Sequence, residues 1–370
     1  MEWTDERIAH LALLQTPKIG SSRIRALKAV FGSLQAAWKG SVERVREAGL
    51  PAEACEAFRI VRKNFDAQKA IHTLEEQEIF FVLREDPSYP ALLHQTSDQP
   101  EALFIRGRIR TLPWIALVGS RNMTSYGERC VNEVVPDLVR AGCGIVSGLA
   151  LGVDGAVHRA ALTAQGYTVA FLGGGIDEMS LYPRSHVDLA HKILAQGGAL
   201  VSEFAPGTAS RSFHFPLRNR LIAGSSLATV VIEATLDSGS LITAKSALEE
   251  NREVFAIPGP IWCHASAGCH RLIQSGAQLC TKAEDILRLL KVDRPQVMEE
   301  AQVRLPLDAF ERRILAELTE PRSLNLLSRR LEEAPGKLSS ALSLLELKGL
   351  ITSLEGQGWM VKNQKPSLMR

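Results

Sequence analysis

The chain has 370 residues, of which 45% are hydrophobic and 23% charged, and it carries a formal net charge of +2 at pH 7. This length and composition exclude a disordered protein or a minimal scaffold and allow two or three domains with a substantial core. Because the net charge is close to zero, a nucleic-acid site has to be a local cluster of arginine and lysine side chains.

The N-terminus and the cysteine content indicate the compartment. The N-terminal sequence MEWTDERIAHLALLQ lacks the basic segment and apolar stretch of a secretory signal, and the apolar runs are too short to span a bilayer. Six cysteines are spread thinly over the chain, as expected where thiols stay reduced. We therefore expect a cytoplasmic protein without a membrane partner.

Residues 1–70 read as short helices. The turn Thr16-Pro17-Lys18-Ile19-Gly20 lies between two helical patterns, and the second pattern is basic, with Arg23, Arg25 and Lys28. Such a turn lets backbone N–H groups at a helix start approach a phosphate, and it resembles a helix-hairpin-helix or SAM-like module. A tight turn in a small packing or dimerising domain explains the motif equally well.

Residues 71–290 alternate short apolar runs with helical patterns. The runs show no alternation of polar residues, which is typical of parallel strands buried on both faces. They lie at 115–118, 144–146, 168–172, 199–201, 228–232 and 254–257. This rhythm predicts a doubly wound, extended Rossmann-like α/β core, in which ligands gather at the carboxyl ends of the strands.

Small and basic residues follow several of these strands. Three glycine-containing loops could admit a phosphate-bearing chain, and they are Gly119-Ser120-Arg121, Ser147 to Asp154 and Gly173-Gly174-Gly175. A fourth segment, Phe213 to Arg220, interleaves aromatic rings with Arg218 and Arg220, a combination that suits stacking of unpaired bases and contact with their phosphates.

The next segment begins a helix after another strand. Ser238, Gly239 and Ser240 offer N–H and hydroxyl donors there, and Lys245 lies further along the same helix. Glu233, at the end of the preceding strand, either orients Arg218 or Arg220 or acts as the acid of a hydrolytic site.

Other chemistry finds less support in the sequence. No G-x-G-x-x-G or G-x-x-x-x-G-K-[ST] fingerprint occurs, so we expect no nucleotide cofactor. Asp154 and His158 share one predicted helix turn, where packing and capping explain them as well as catalysis does. Cys263-His264 and Cys269-His270 could supply zinc ligands, but their spacing is not that of typical metal sites, so we expect no metal.

After a polar linker at 291–305, residues 306–363 predict a separate small domain. Amphipathic helices at 309–318, 323–331 and 336–348 precede two short strands at 350–354 and 359–361, an arrangement that reads as a winged helix. Lys337, Ser339 and Ser340 would lead its third helix. Duplex binding, partner docking and a structural role all remain open for this domain.

With these motifs together, residues 71–290 resemble the DNA-processing protein A family, also called DprA or Smf. The matching runs appear in the family's order over some two hundred residues. They are IALVGSR at 115–121, VSGLA at 146–150, FPLRNR at 215–220, SGSLITA at 238–244 and VFAIPG at 254–259.

The resemblance implies a non-catalytic protein that binds single-stranded DNA, forms a homodimer and loads the RecA recombinase during natural transformation, with single-strand-binding protein as a further candidate partner. It also implies that Arg121, Arg218, Arg220 and Lys245 contact phosphates and that Phe215 stacks on a base. The expected DNA-binding set is Gly119, Ser120, Arg121, Ser147, Gly148, Gly174, Phe215, Arg218, Asn219, Arg220, Ser238, Gly239, Ser240 and Lys245.

Two other functions compete with this one. A nucleotide-hydrolysing enzyme of the phosphoribohydrolase kind could use Glu233 and the glycine loops on a related Rossmann core, although the P-G-G-x-G-T-x-x-E motif of such enzymes is absent. Alternatively, the core could simply dimerise while the helical ends recruit partners.

Overall fold

The computed structural model describes residues 2–292, 308–318, 320–347, 350–354 and 358–361. The chain divides into two compact units, Met1–Pro295 and Gln296–Arg370. Of the predicted linker at 291–305, only the first two residues lie within the described part. The predicted domain boundaries therefore stay predictions.

Short helices open the first unit. They are α1 (Asp5–Leu14), α2 (Ser21–Phe31), α3 (Leu34–Lys39), α4 (Val42–Glu47), α5 (Ala52–Asn64) and α6 (Ala67–Glu76). Side-chain oxygens of Thr4, Ser33, Ser41 and Asp66 accept hydrogen bonds from the first turns of the helices that follow them. These caps satisfy N–H groups that have no partner inside a helix, so the helix starts are fixed locally by the sequence.

Strands and helices then alternate. The strands are β1 (Ile79–Leu83), β2 (Ala102–Gly107), β3 (Trp114–Val118), β4 (Gly144–Ser147), β5 (Thr168–Leu172), β6 (Ala199–Ser202), β7 (Ala228–Val231), β8 (Glu253–Ala256) and β9 (Gln278–Leu279). The helices are α7 (Ser125–Arg140), α8 (Val153–Thr163), α9 (Val187–Ala195), α10 (His214–Gly224), α11 (Ser240–Glu249), α12 (Ala267–Gln274) and α13 (Ala283–Leu290). The six predicted strands correspond to β3 to β8, and no strand end differs from its predicted position by more than one residue.

Within the described residues these strands form one sheet in the order β1-β2-β6-β5-β4-β3-β7-β8-β9. The pairs from β6 through β9 are parallel, whereas β1 and β2 add an antiparallel edge. The strand β3 pairs with β4 on one side and with β7 on the other, so the direction of winding reverses there. In such sheets the crevice beyond the carboxyl ends of these strands is the usual ligand site.

The sheet is buried on both faces. Ile115 and Leu117 pack in one cluster with side chains of α7, α8 and α13, while Ala116 and Val118 pack in another with side chains of α10 and α11. A third cluster joins the opening helices to the sheet and contains Phe58, Phe81 and Phe104. The opening helical region therefore shares its core with the strand region.

The second unit contains α14 (Ala309–Glu317), α15 (Leu324–Leu331), α16 (Pro335–Leu347), β10 (Ile351–Leu354) and β11 (Gly358–Val361). The strands β10 and β11 pair antiparallel. Leu338, Leu342 and Leu345 are buried in the core of this unit, which confirms the helical periodicity read from the sequence. Of the residues between the two predicted strands of the wing, 355–357 lie outside the described residues.

Candidate functional site

A cleft with a cavity volume of about 700 Å³ lies at the reversal point of the sheet. The loop after β3, the loop after β7 and the start of α10 form its walls. The predicted site residues that line it are Gly119, Ser120, Arg121, Phe215, Arg218, Asn219, Ser238, Gly239 and Ser240. Nine of the fourteen predicted site residues, taken from motifs that are far apart in the chain, therefore line one cleft.

Arg121 is the exposed cation of this cleft. Its guanidinium lies 5.0 Å from the centroid of the Phe215 ring, and it has no ion pair in the described part of the chain. The loop that carries Arg121 is fixed by hydrogen bonds from Ser120 N to the Glu233 carbonyl oxygen (2.8 Å) and from Val153 N to the Ser120 carbonyl oxygen (3.1 Å). A cation held against an aromatic ring can contact a phosphate while the ring stacks on a base.

Arg218 has a different environment from Arg121, because its side chain is buried and only 3% exposed. Its guanidinium donates to the carbonyl oxygens of Gly148 and Phe171. Burial lowers the pKa of Arg218 to about 10, although the nearby Asp154 carboxylate acts in the opposite direction. In this position the guanidinium holds the backbone behind the cleft.

Asp154 completes this arrangement from the start of α8. Its carboxylate accepts hydrogen bonds from Gly148 N (3.1 Å) and Ala150 N (3.4 Å). Burial raises the pKa of Asp154, and Arg218 counteracts this shift. The two buried charges therefore fix the Gly148 loop from both sides, a role of Asp154 that sequence reasoning missed.

The five remaining predicted site residues do not line the cleft. Ser147 is buried and donates to the Leu117 carbonyl oxygen, and Gly148 is held as described above. Gly174 accepts a hydrogen bond from Ser202. Lys245 lies on α11, 77% exposed, with its Nζ 3.6 Å from a Glu249 oxygen. DNA contact by these residues stays a prediction.

Arg220 faces a second cleft, with a cavity volume of about 1390 Å³, between the α1–α2 turn and residues 203–220. Its guanidinium forms ion pairs with Glu203 (2.6 Å) and Asp98 (3.3 Å). Asp98 lies 122 positions and Glu203 17 positions from Arg220, so no local motif could show that this arginine is neutralised.

Two of the three basic side chains of α2, those of Arg25 and Lys28, are paired in the same way. Arg25 contacts Asp98 (2.7 Å) and Glu101 (3.6 Å), and Lys28 lies 4.0 Å from Glu85. The Thr16 to Gly20 turn lines the second cleft. The structure therefore uses Arg25 and Lys28 to connect the helical region with the segment around β1 and β2, and the phosphate role of the turn remains a prediction.

The structure places Glu233 differently from both sequence interpretations. It is 1% exposed, and its carboxylate accepts hydrogen bonds from the backbone N–H (2.9 Å) and the hydroxyl of Thr124. A Cβ at Gly127 would lie 2.4 Å from one of its oxygens. Glu233 therefore stabilises the start of α7, pairs with neither Arg218 nor Arg220, and does not line the cleft.

The start of α11 supplies the opposite wall of the cleft. The hydroxyl oxygens of Ser238 and Ser240 are 2.7 Å apart, and the Asn219 amide donates to the Gly239 carbonyl oxygen at 3.4 Å. Nothing lies within 4 Å of a Cβ added to Gly239, so this backbone is open to an approaching ligand. Thr235, His264 and Ala265 also line the cleft and were missed, although they follow strand ends as the motifs do.

The neighbouring side chains of Cys269 and His270, two of the candidate metal ligands, have different hydrogen-bond partners. Cys269 donates to the Val231 carbonyl oxygen inside the core, whereas the His270 ring contacts the Gly259 carbonyl oxygen at 2.9 Å. Across the residues described, no group of three or more His, Cys, Asp or Glu side chains is placed to hold a metal ion.

The buried His158 ring forms a hydrogen bond with the Thr168 hydroxyl at 2.8 Å, and burial lowers the pKa of His158 to about 3, which fits a packing role.

In the second unit, the leading residues of α16 are exposed and weakly basic. Lys337 pairs with Glu333 (3.0 Å), and its Nζ lies 4.4 Å from the Phe310 ring centroid. Ser339 and Ser340 face solvent on the same helix.

Among the helices that the structure describes, none combines the length and the apolar character that a membrane span requires.

An extended Rossmann-like domain followed by a winged-helix unit defines the class of this protein. The chain belongs to the family described as DNA recombination-mediator protein A, which matches residues 80–291, and the DprA winged helix domain matches residues 298–357. Among its relatives, it is 37% identical over 325 residues to Protein Smf of Escherichia coli, covering 84% of this chain and 85% of that protein. It is also 44% identical over 204 residues to DNA processing protein DprA of Streptococcus pneumoniae, covering 55% of this chain and 71% of the relative.

Two solved structures share the fold. The X-ray structure of DNA processing protein A from Streptococcus pneumoniae has a TM-score of 0.64 and 34% identity, covering 78% of this chain and 98% of its own. The structure of DNA processing protein A from Helicobacter pylori has a TM-score of 0.51 and 26% identity, covering 58% of this chain and 97% of its own. That structure gives insight into the single-stranded DNA binding mode of the Helicobacter pylori protein.

Proposed function

We propose that this protein binds single-stranded DNA in the cleft at the reversal point of the sheet. The observation that carries the proposal is the pair of Arg121 and Phe215, in which an unpaired guanidinium lies 5.0 Å from an aromatic ring inside a cleft of about 700 Å³. Bases of a single strand are free to stack on such a ring, and the adjacent cation can hold their phosphates. Bases stacked inside a duplex do not offer these faces.

Around this pair, the cleft is built from small and hydroxyl-bearing residues. Ser238 and Ser240 carry hydroxyl groups at the start of α11, and the open backbone at Gly239 allows close approach of a sugar-phosphate chain. Such contacts fix the position of a strand without reading its sequence. We therefore expect binding with little sequence preference.

The biological role that we propose follows from family membership. The protein protects incoming DNA, loads a RecA-type recombinase during natural transformation, acts as a cytoplasmic homodimer and encounters single-strand-binding protein on the same strand. Curated relatives named DNA processing protein DprA support this role.

We further propose that the protein acts without catalysis. The position of Glu233 favours this over nucleotide hydrolysis, because its carboxylate is occupied at the start of α7. Incubation with nucleoside monophosphates tests the alternative. Release of free base, abolished by Glu233→Gln, would overturn the non-catalytic proposal.

A salt-dependent titration tests DNA binding directly. The intact chain should bind a single-stranded oligonucleotide more tightly than the matching duplex, and Arg121→Ala should weaken binding and lower the slope of log affinity against log salt by about 0.7. Lys245→Ala should have a smaller effect, since Lys245 does not line the cleft.

Arg46→Ala provides the matched control, because Arg46 is an exposed arginine on α4, away from the cleft. Equal affinity of the Arg121→Ala and Arg46→Ala variants for the single strand would refute the proposed site.

A further inference from the structure

An anchored turn after β8 presents two large apolar side chains to solvent. Ile261 is 86% exposed and Trp262 is 85% exposed. In the described structure the Trp262 indole has neither a hydrogen bond nor an aromatic partner. Apolar surface left in water on an ordered turn is available to a ligand that covers it.

The turn is held at both ends. Before it, the Tyr126 hydroxyl donates to the Pro258 carbonyl oxygen (2.5 Å) and the His270 ring bonds the Gly259 carbonyl oxygen (2.9 Å). Within it, Cys263 N donates to the Pro260 carbonyl oxygen at 2.9 Å. After it, Ala234 N donates to the Ala265 carbonyl oxygen at 2.8 Å. The backbone that carries the indole is thus fixed.

The turn leads directly into the wall of the cleft. His264 and Ala265, two and three residues after Trp262, line the cleft beside Ser238 and Ser240. The backbone that carries the indole therefore adjoins the wall of the cleft on its β8 side.

Phe215 lies towards the β5 side of the cleft. A Cβ at Gly173, just after β5, would lie 2.9 Å from the Phe215 ring, so this ring stands over the end of β5. The strands β5 and β8 are four positions apart in the sheet, which at the usual strand spacing separates their ends by about 19 Å. Arg121 follows β3, between these two strands. The strand that precedes Arg121 therefore lies between the strand whose end is under Phe215 and the strand that leads to Trp262.

We propose that Trp262 is a second base-stacking residue, which takes a base of the same DNA strand further along from the base on Phe215. This inference rests on the proposed function. An uncharged indole offers a stacking face to a base and only a single N–H donor to a phosphate, so most of its contribution depends on the base. Continuity of the turn with the cleft wall favours a nucleic-acid strand over a protein as the occupant.

Oligonucleotides with and without bases test the proposal. Titrations of the full chain compare a thymidine oligomer with an abasic strand of the same length, for the wild type, Trp262→Ala and Trp262→Phe. We expect Trp262→Ala to weaken binding of the thymidine oligomer by about 5- to 150-fold and Trp262→Phe to retain most of the affinity. Neither variant should change binding of the abasic strand or the salt slope.

The matched control is Phe80→Ala, because Phe80 is an aromatic side chain 50% exposed on β1, at the far edge of the sheet from β8. It should leave all affinities unchanged. A second readout is tryptophan fluorescence, in which quenching by the thymidine oligomer should be lost in Trp262→Phe.

The outcomes separate this inference from the proposed function. If the wild type binds the single strand with the expected salt dependence and Trp262→Ala binds equally well, the stacking role alone is overturned. If the wild type binds no single strand, both proposals fail. An equal loss of affinity on both oligomers, accompanied by a change of oligomeric state, would assign Trp262 to a contact between copies and overturn the inference.

Discussion

Replacing Arg218 by methionine tests whether its buried guanidinium supports the cleft from behind. The substitution keeps much of the side-chain length and removes the charge and the donors to the Gly148 and Phe171 carbonyl oxygens. It also leaves the buried Asp154 carboxylate without its nearby cation. A buried charge that loses its partner costs about 3–5 kcal/mol of unfolding free energy, and we expect a loss in this range at pH 7.

The loss should depend on pH with a defined sign. Burial raises the pKa of Asp154 above its unfolded value, so stability falls as pH rises through the interval between the two values. Arg218 limits this shift, and its removal raises the folded pKa further. The destabilisation should therefore be largest at neutral pH and diminish as pH falls through the folded pKa, where the carboxyl group takes up a proton.

Urea denaturation at several pH values measures this effect. Arg121→Met is the matched control, because the same change at an exposed, unpaired arginine should alter the unfolding free energy by no more than about 0.5 kcal/mol. The double variant Asp154→Asn, Arg218→Met should lose less unfolding free energy than the two single variants lose together. A loss below about 1 kcal/mol for Arg218→Met, or a loss that is independent of pH, would refute the reasoning.

Two further predictions concern the glycine loop and Glu233. Gly148→Ala would place a Cβ 2.4 Å from the Arg218 guanidinium, so it should destabilise the protein by about 1–3 kcal/mol and weaken DNA binding, as measured by urea denaturation and titration. Its control, Gly239→Ala, meets open space and should leave stability nearly unchanged; comparable losses for the two would contradict this account. Glu233→Gln should cost about 1–2 kcal/mol, because an amide has only one oxygen for the two Thr124 donors, while single-strand affinity stays at the wild-type level. Loss of DNA affinity without loss of stability would place Glu233 in the site after all.

The sequence predicted the fold well where a local signal exists. The strands β3 to β8 are buried on both faces, so each appears as an apolar run, and the loops after them could be assigned to one edge of the sheet. The antiparallel strands β1 and β2 were missed although they carry such a signal, since their sequences, IFFVL and ALFIRG, contain apolar runs. The short strand β9 was not predicted either. The residues of β9 are exposed, so no apolar run marks this strand.

The sequence did not show which arginine side chains are exposed and which are buried or paired. Arg218 and Arg220 are two residues apart on α10, yet the former is buried against backbone carbonyl groups and the latter is paired with Asp98 and Glu203. Asp98 is 122 positions away from Arg220 in the sequence. Only the folded chain brings such groups together, so a count of arginines in a motif overstates the positive charge that a ligand meets.

This distribution of charge has a consequence for how the cleft can hold DNA. The charged side chains among its lining residues are Arg121, Asp154 and Arg218, and the last two are buried together. Each phosphate contact adds about 0.7 to the salt slope of single-strand binding, so one exposed arginine gives a shallow slope. Stacking then has to supply much of the affinity, at about 1–3 kcal/mol per base. On our proposal, Phe215 and Trp262 provide two such contacts, and a chain with a net charge of only +2 can then hold a nucleic-acid strand.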